Sequence, residues 1–290
     1  MGVLIGLVIA IGCMLGGFVA MGGHLVVLWQ PWEFVIIGGM GAGTFVMANP
    51  MKTVVDTGKA SLDALTGKVP KRKDYLALLG LMHALIRELK TKPRNEVEPH
   101  LDDPANSEIF KAYPDVAKNA DLVLFICDYA RLILIGNARA HEIEALMDEE
   151  ISGYRKDRLK PYGAVTTVAE AMPALGIVAA VLGIVKAMGA LDQSPQILGG
   201  LIGAALVGTF FGVFMSYGVL APFAIKIKTI REKQNHVYII VKQSLIAHMS
   251  GAVPQIAVEH GRKGISLGDR PTIDEVENAT VTGGAQREAA

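Results

Sequence analysis

Four stretches of the chain are almost unbroken runs of apolar residues, and between the second and third the pattern changes to charged positions alternating with apolar ones at helical spacing. Gly2 to Met21 and Phe34 to Asn49 are the first two runs, and the segment 168–223 holds the other two on either side of a break at Asp192 to Pro195. Each of the last two is about twenty apolar residues, which at ~1.5 Å per residue covers a bilayer core of about 30 Å. These runs predict four membrane-spanning helices. In the last pair, VAEAMPALGIVAAVLGIVKAMG and ILGGLIGAALVGTFFGVFMSYGVLAPF, small residues recur at helical intervals: Gly199 and Gly203, Gly208 and Gly212, and opposite them Gly176, Ala180, Gly183 and Ala187. Helices with such faces approach closely, unless the stripes serve only lipid-facing packing.

Residues 52–167 read as a large helical insertion. Tyr75, Leu76, Leu78, Leu79, Met82, Leu85, Ile86 and Leu89 follow a helical period that stops before Pro93. Pro99 and Pro104 mark a charged turn. The run LVLFICDYARLILI at 122–135 is too short to span and carries Asp128 and Arg131, so it is expected as a buried soluble helix with those two paired on its surface. The acidic cluster Glu142, Glu144, Asp148, Glu149 and Glu150 reads as a solvated helix face, and Pro161 is expected to close the insertion. Beyond the fourth span, Lys226 to Met249 is expected as a continuing helix, and the polar stretch 272–290 as disordered. The division that follows is 1–51 (spans one and two), 52–167 (cytoplasmic helical domain), 168–223 (spans three and four), 224–271 (cytoplasmic helix and extension) and 272–290 (tail). The fold class is thus an all-α integral membrane protein.

Composition agrees, with 51% hydrophobic residues and no formal net charge. Basic residues cluster after Pro50 (Lys52, Lys59, Lys68, Lys71, Arg72, Lys73) and after the last span (Lys226, Lys228, Arg231, Lys233), which places both flanks and both termini in the cytoplasm. The turn holding Trp29 and Trp32, free of lysine and arginine, then faces outward and suits the interfacial belt. Met1 to Met21 lacks the positive start of a signal peptide and reads as a span. Lys186, late in the third span, either snorkels to the outer interface or pairs with Asp192.

Chemistry is informative by omission. Cys13 and Cys127 have neither disulfide nor metal-ligand spacing, the histidines are scattered, His24 and His83 read as surface or packing residues, and no catalytic constellation presents itself. The glycine run GGMGAG lacks the context of a nucleotide loop. An enzyme, a metal, a cofactor and a nucleic-acid partner are therefore not expected; the surroundings expected are lipid. A protein that moves ions needs an ionisable group near the bilayer midplane. Glu33, Glu170, Asp192 and Lys186 all count out towards span ends, so a titrating carboxylate is expected from another chain.

The segments QPWEFVIIGG, EIEALMDEEI, MPALGIVAAVLG, LVGTFFGV with SYGVLAP, and AVEHGRK, in that order over nearly the whole chain, resemble the MotA family of flagellar motor stators. The resemblance implies a homo-oligomeric ring, thought to be a pentamer, around a MotB dimer whose single-span helix supplies the aspartate that takes the proton, and rotation of that ring against the rotor protein FliG. It implies ion-path and gating roles for Pro173, Pro222, Thr209 and Ala180. A proline removes a helix hydrogen bond and stores a bend. The Thr209 hydroxyl either serves the ion path or bonds its own backbone, and Ala180 stands where sodium-driven relatives carry threonine, which favours the proton. It also implies a rotor contact made by Glu98 with a basic residue, either Lys90, at the family's arginine position, or Arg94. Alternatives are a sodium-driven stator, an energy-transducing ExbB or TolQ type of subunit, which shares only the last two spans and has three, and a scaffold with no ion path.

Overall fold

The computed structural model describes residues 2–288, and among these every regular element is helical. In chain order the helices are α1 (Gly2–Ala20), α2 (Leu25–Leu28), α3 (Pro31–Ala48), α4 (Met51–Thr66), α5 (Arg72–Thr91), α6 (Arg94–Asp102), α7 (Glu108–Lys111), α8 (Pro114–Ala117), α9 (Ala120–Ile135), α10 (Ala140–Arg158), α11 (Lys160–Met188), α12 (Pro195–Val213), a π-helical segment (Phe214–Leu220), α13 (Ala221–Met249), α14 (Pro254–Gly264) and α15 (Ile273–Glu288). Among the described residues four helices are long and apolar enough to cross a membrane: α1, the α2–α3 segment, the run ending in α11 and the run beginning with α12. The all-α, four-span reading and the helical insertion hold. The chain packs as two units, residues 1–68 with 158–231, and residues 69–157 with 232–290.

The membrane unit is built on α11 against α12. Their small residues let backbone meet backbone: a methyl group built on Gly212 would stand 2.6 Å from the Met172 carbonyl oxygen and 2.9 Å from the Gly176 Cα, and one on Gly183 would stand 2.8 Å from the Ala205 Cβ. Half of the expected stripe is used in this way. Gly199 and Gly203 have nothing within 4 Å where a Cβ would be. The span α3 covers one side of this pair through Ile37 and Gly41, the latter beneath Met172. A helix that the sequence reading assigned to the insertion, α4, belongs here instead, burying Thr53, Thr57, Ala60 and Ala64. Its small residues recur at helical spacing, and Asp56 on it takes a 2.7 Å ion pair from the buried Arg231 of α13. Pro161 likewise opens α11 and does not close the insertion, because a proline is tolerated in a helix's first turn.

The second unit packs around α5, whose Leu78, Leu79, Leu81, Met82, Leu85 and Ile86 are essentially inaccessible. Phe125 of α9, Tyr154 of α10 and Tyr238 of α13 meet edge to face or tilted, with Phe125–Tyr238 centroids 5.2 Å apart. α9 is the expected soluble helix, with Arg131 bonded to Asp128 at 3.2 Å. Burial pushes the Cys127 thiol up to about 11, so it is an unreactive packing group. His83 is buried too, and desolvation lowers its pKa. The acidic cluster is the solvated face expected, and part of it is also paired: Lys242 reaches Asp148 at 2.8 Å and Glu144 at 3.5 Å, and the Tyr129 hydroxyl donates to Glu150 at 2.7 Å. The tail differs from expectation. Thr272 and Glu275 cap each other, the Thr272 N–H donating to the Glu275 carboxylate at 2.7 Å and the Glu275 N–H to the Thr272 hydroxyl at 3.2 Å, and residues 273–288 continue as a helix. Residues 289 and 290 of the expected tail lie outside the described residues.

Replacing Gly212 by alanine is expected to destabilise the membrane unit by about 1–3 kcal/mol, because the added methyl meets backbone that has no rotamer to change. Gly43→Ala, which meets nothing, is expected to cost no stability; melting of both purified variants in detergent measures the difference.

Candidate functional site

Pro173 lies half-buried inside α11, one residue after the Met172 whose carbonyl closes on Gly212. Having no N–H, it leaves the Ala169 carbonyl without its helical donor. Pro222 is exposed in the first turn of α13 and likewise has no N–H to donate to the turn before it. There the chain responds more strongly than a bend: the seven residues Phe214–Leu220, immediately before it, are wound as a π-helix. Such a segment spaces its bonds five residues apart and so takes one extra residue into the helix, a feature that sequence reading missed. The proline was the signal available for it.

Ala180 and Thr209 come to one level of the α11–α12 hairpin. A Cβ on Gly208, the neighbour of Thr209, would be 3.6 Å from the Ala180 amide nitrogen and 3.4 Å from the Ala179 Cβ. Both side chains are half-buried. Thr57, Thr166, Thr167 and Thr229 all donate to the carbonyl one turn back in their helices, but among the described residues Thr209 makes no hydrogen bond. Its hydroxyl is uncommitted among the described residues.

The reading that the middle of the bundle holds no acid needs correction. Glu33 is the third residue of α3, which placed it at a span end by counting. Its carboxylate nevertheless lies against Gly208, about midway between Pro195 and Pro222, with Oε2 3.0 Å from where a Cβ on Gly208 would be. That oxygen is fully buried and has no hydrogen-bond partner. Aromatic contacts seat the start of α3 there, Trp29 against Phe34 at 5.9 Å and Phe34 against Phe211 of α12 at 4.4 Å between centroids. Counting failed because the apolar turn of α2 precedes α3, while α12 runs thirteen residues from Pro195 before it reaches Gly208. The exposed Glu170 and Lys186 behave as expected of residues away from the centre, and Lys186 forms no ion pair among the described residues.

In the second unit, Lys90 ends α5 while Arg94 and Glu98 lie one turn apart on α6, with Pro93 between the two helices. Lys90 and Arg94 are exposed and Glu98 is half-exposed. Arg94 bonds Glu98 at 3.0 Å and holds its carboxyl below the usual range. Lys90 makes no ion pair among the described residues; its charge acts on the half-buried His248, whose pKa is lowered by desolvation first and by Lys90 second. The structure thus joins Arg94 to Glu98 and leaves Lys90 apart. Among the described residues no group of His, Cys, Asp and Glu is arranged to hold a metal.

A polytopic helical bundle with a close-packed glycine hairpin, a π-wound proline hinge and a polar interior level is the architecture of a membrane ion-channel subunit, and the profile described as the MotA/TolQ/ExbB proton channel family matches residues 118–238. A second profile, Motility protein A N-terminal, matches residues 4–93. The chain is 38% identical to Motility protein A of Salmonella typhimurium, covering 95% of this chain and 93% of that one, and 36% identical to Motility protein A of Escherichia coli over the same shares. It is 32% identical to the chemotaxis protein LafT of Vibrio parahaemolyticus, covering 94% and 96%. It belongs to the motility protein A family. Among solved structures its fold is similar to that in the C. jejuni MotAB structure (TM-score 0.73, 19% identity, 93% of this chain and 98% of that one) and to that in the flagellar MotAB stator complex of Bacillus subtilis (TM-score 0.59, 22% identity, 95% and 98%).

Replacing Pro222 by alanine restores the missing amide donor, and residues 214–220 are expected to relax to α-helical winding. Each residue before the segment then turns by about 100° relative to those after it, as one residue of a 3.6-residue turn requires. A single-cysteine accessibility scan of 210–226 reads that change of phase.

Proposed function

We propose that this protein is a stator subunit of the bacterial flagellar motor: an oligomeric ring of these chains surrounds a partner of the MotB kind and converts inward proton flow into torque on a rotor protein of the FliG kind. What carries the reading is likeness along nearly the full chain to motility protein A, including the N-terminal profile over residues 4–93, which an ExbB or TolQ type of subunit would not be expected to share. In this reading spans α11 and α12 line the ion path, with Thr209 and Ala180 facing the partner's carboxylate. The unbonded Thr209 hydroxyl supports that role, and alanine in place of an oxygen-bearing side chain at 180 favours a proton over sodium. Pro173 and Pro222 are the points at which neutralising the partner's carboxylate becomes movement of the helices, since neither has an N–H to donate to the turn before it. A five-membered ring is our reading of the stoichiometry. The apolar surface of α1, none of whose residues is buried in this chain, supplies area for lipid and neighbouring subunits.

For the rotor contact we favour the Arg94–Glu98 pair as a unit, with Lys90 one helix away as a second positive charge. Exposed charges of this kind steer encounter and tolerate exchange better than buried ones.

In cells dependent on this protein, swimming is expected to persist in sodium-free medium and to collapse with a protonophore; vesicles holding it are expected to take up protons only when the partner is present. Uptake without the partner, or none with it, rejects the reading. Reversing Glu98 to lysine is expected to slow swimming while leaving proton uptake unchanged, and unaltered speed with Lys90 and Arg94 also neutralised removes the rotor contact.

A further inference from the structure

The proposed path assigns the titrating group to the partner, but this chain has a carboxyl group of its own at the same level. We propose that Glu33 is a proton-exchanging group of the ion path, holding a proton at mid-membrane behind Thr209 and passing it on towards the partner's carboxylate. This rests on the stator reading given above.

Four features carry it. The carboxylate lies at the middle of the stretch from Pro195 to Pro222, about 20 Å from either end at ~1.5 Å per residue. Oε2 is sealed from solvent and has no hydrogen-bond partner, which is costly for an ionised oxygen and cheap for a group that cycles through the protonated form. The slot it fills exists because residue 208 is glycine; a Cβ there would stand 3.0 Å from Oε2, and the same position touches Ala179 and the amide nitrogen of Ala180. The carboxyl group is therefore one residue from the uncommitted hydroxyl of Thr209 along α12. The aromatic contacts Trp29–Phe34 and Phe34–Phe211 hold the first turn of α3 so that the acid cannot swing out.

The charges around it are few. On α11, Lys186 is the side chain whose positive charge reaches it. Glu170 and Lys160 are the other ionised residues of α11, both more than two turns of helix from Ala180. α12 carries no acidic or basic side chain, nor does α1, and α2 has only His24 at its start. A carboxyl in such surroundings changes charge with little competition. The step is a proton transfer alone: the O–H bond on Glu33 breaks as one forms on the acceptor oxygen, and no electrons change owner.

The test uses the full complex with its partner in vesicles. Glu33→Gln keeps the shape and removes the titration, and proton uptake is expected to fall by about a hundredfold, the lower end of what a positioned proton-transferring group contributes. Glu33→Asp is expected to conduct with a displaced pH profile. In parallel, infrared titration of the parent complex is expected to show a protonated-carboxyl band that is missing from Glu33→Gln. Uptake at the parent rate in Glu33→Gln, or an unchanged band, overturns the inference. Should the glutamine variant fail to assemble, Glu33→Asp decides: a displaced profile supports the proposal and the parent profile refutes it. A parent complex that passes no protons rejects the stator reading itself, while the infrared band still reports separately whether Glu33 takes up a proton.

Discussion

The contact on which the membrane unit depends is backbone against backbone between α11 and α12. Apolar side chains gain nothing by leaving lipid for one another, so helix pairing there relies on close packing and on the dipoles it brings together. Gly176, Gly208 and Gly212 provide this. With the Gly208 carbonyl 2.9 Å from where a Cβ on Gly176 would be, no larger residue fits without parting the helices. The same absence of side chains has a second effect, since the room left at Gly208 is what admits the Glu33 carboxylate. One constraint therefore both joins the hairpin and brings an acid to its centre.

Close packing of this kind also localises deformation. A hairpin zipped by glycine contacts from Ala205 to Gly212 is stiff, so rearrangement concentrates where the hydrogen-bond ladder is already broken, at Pro173 and in the π-wound turn before Pro222. Pro173 stands within the last contact of the zipped section, one residue after Met172, and the π-wound turn begins two residues beyond Gly212. The proposed ion level, with Ala180, Thr209 and Glu33, lies nearer the middle of that section. Rigid seat and compliant end are thus set by the same short list of residues: glycine where helices must touch, proline where they must yield.

Much of this was legible in the chain. Run length and the placement of lysine and arginine give four spans and their direction, because burying backbone in lipid leaves helices as the solution for such apolar runs. Asp128 with Arg131 was readable from spacing alone. Other features were not. Glu33 counted as terminal because distance along a helix says nothing of the depth at which a neighbouring helix crosses it. The π-wound turn is a local response to one missing amide, but Pro222 alone does not say that the helix answers with wider winding and not with a bend. Arg94 and Glu98 are four apart and pair as helical neighbours do, but nothing in the sequence says that Lys90 stands apart from them across the Pro93 break. The acidic face of α10 found its cation in Lys242, nearly a hundred residues away, which no local pattern announces.

The core of the second unit is assembled from both ends of the polypeptide, with Leu78 and Met82 from before the third span against Tyr238, Val241 and Leu245 from beyond the fourth. During synthesis the early half must wait, half-made and greasy, while the translocation machinery threads the second hairpin. Until residues 237–245 are made, the apolar face of α5 lacks the side chains that close its core, and surface of that kind is what makes an unfinished chain prone to aggregate.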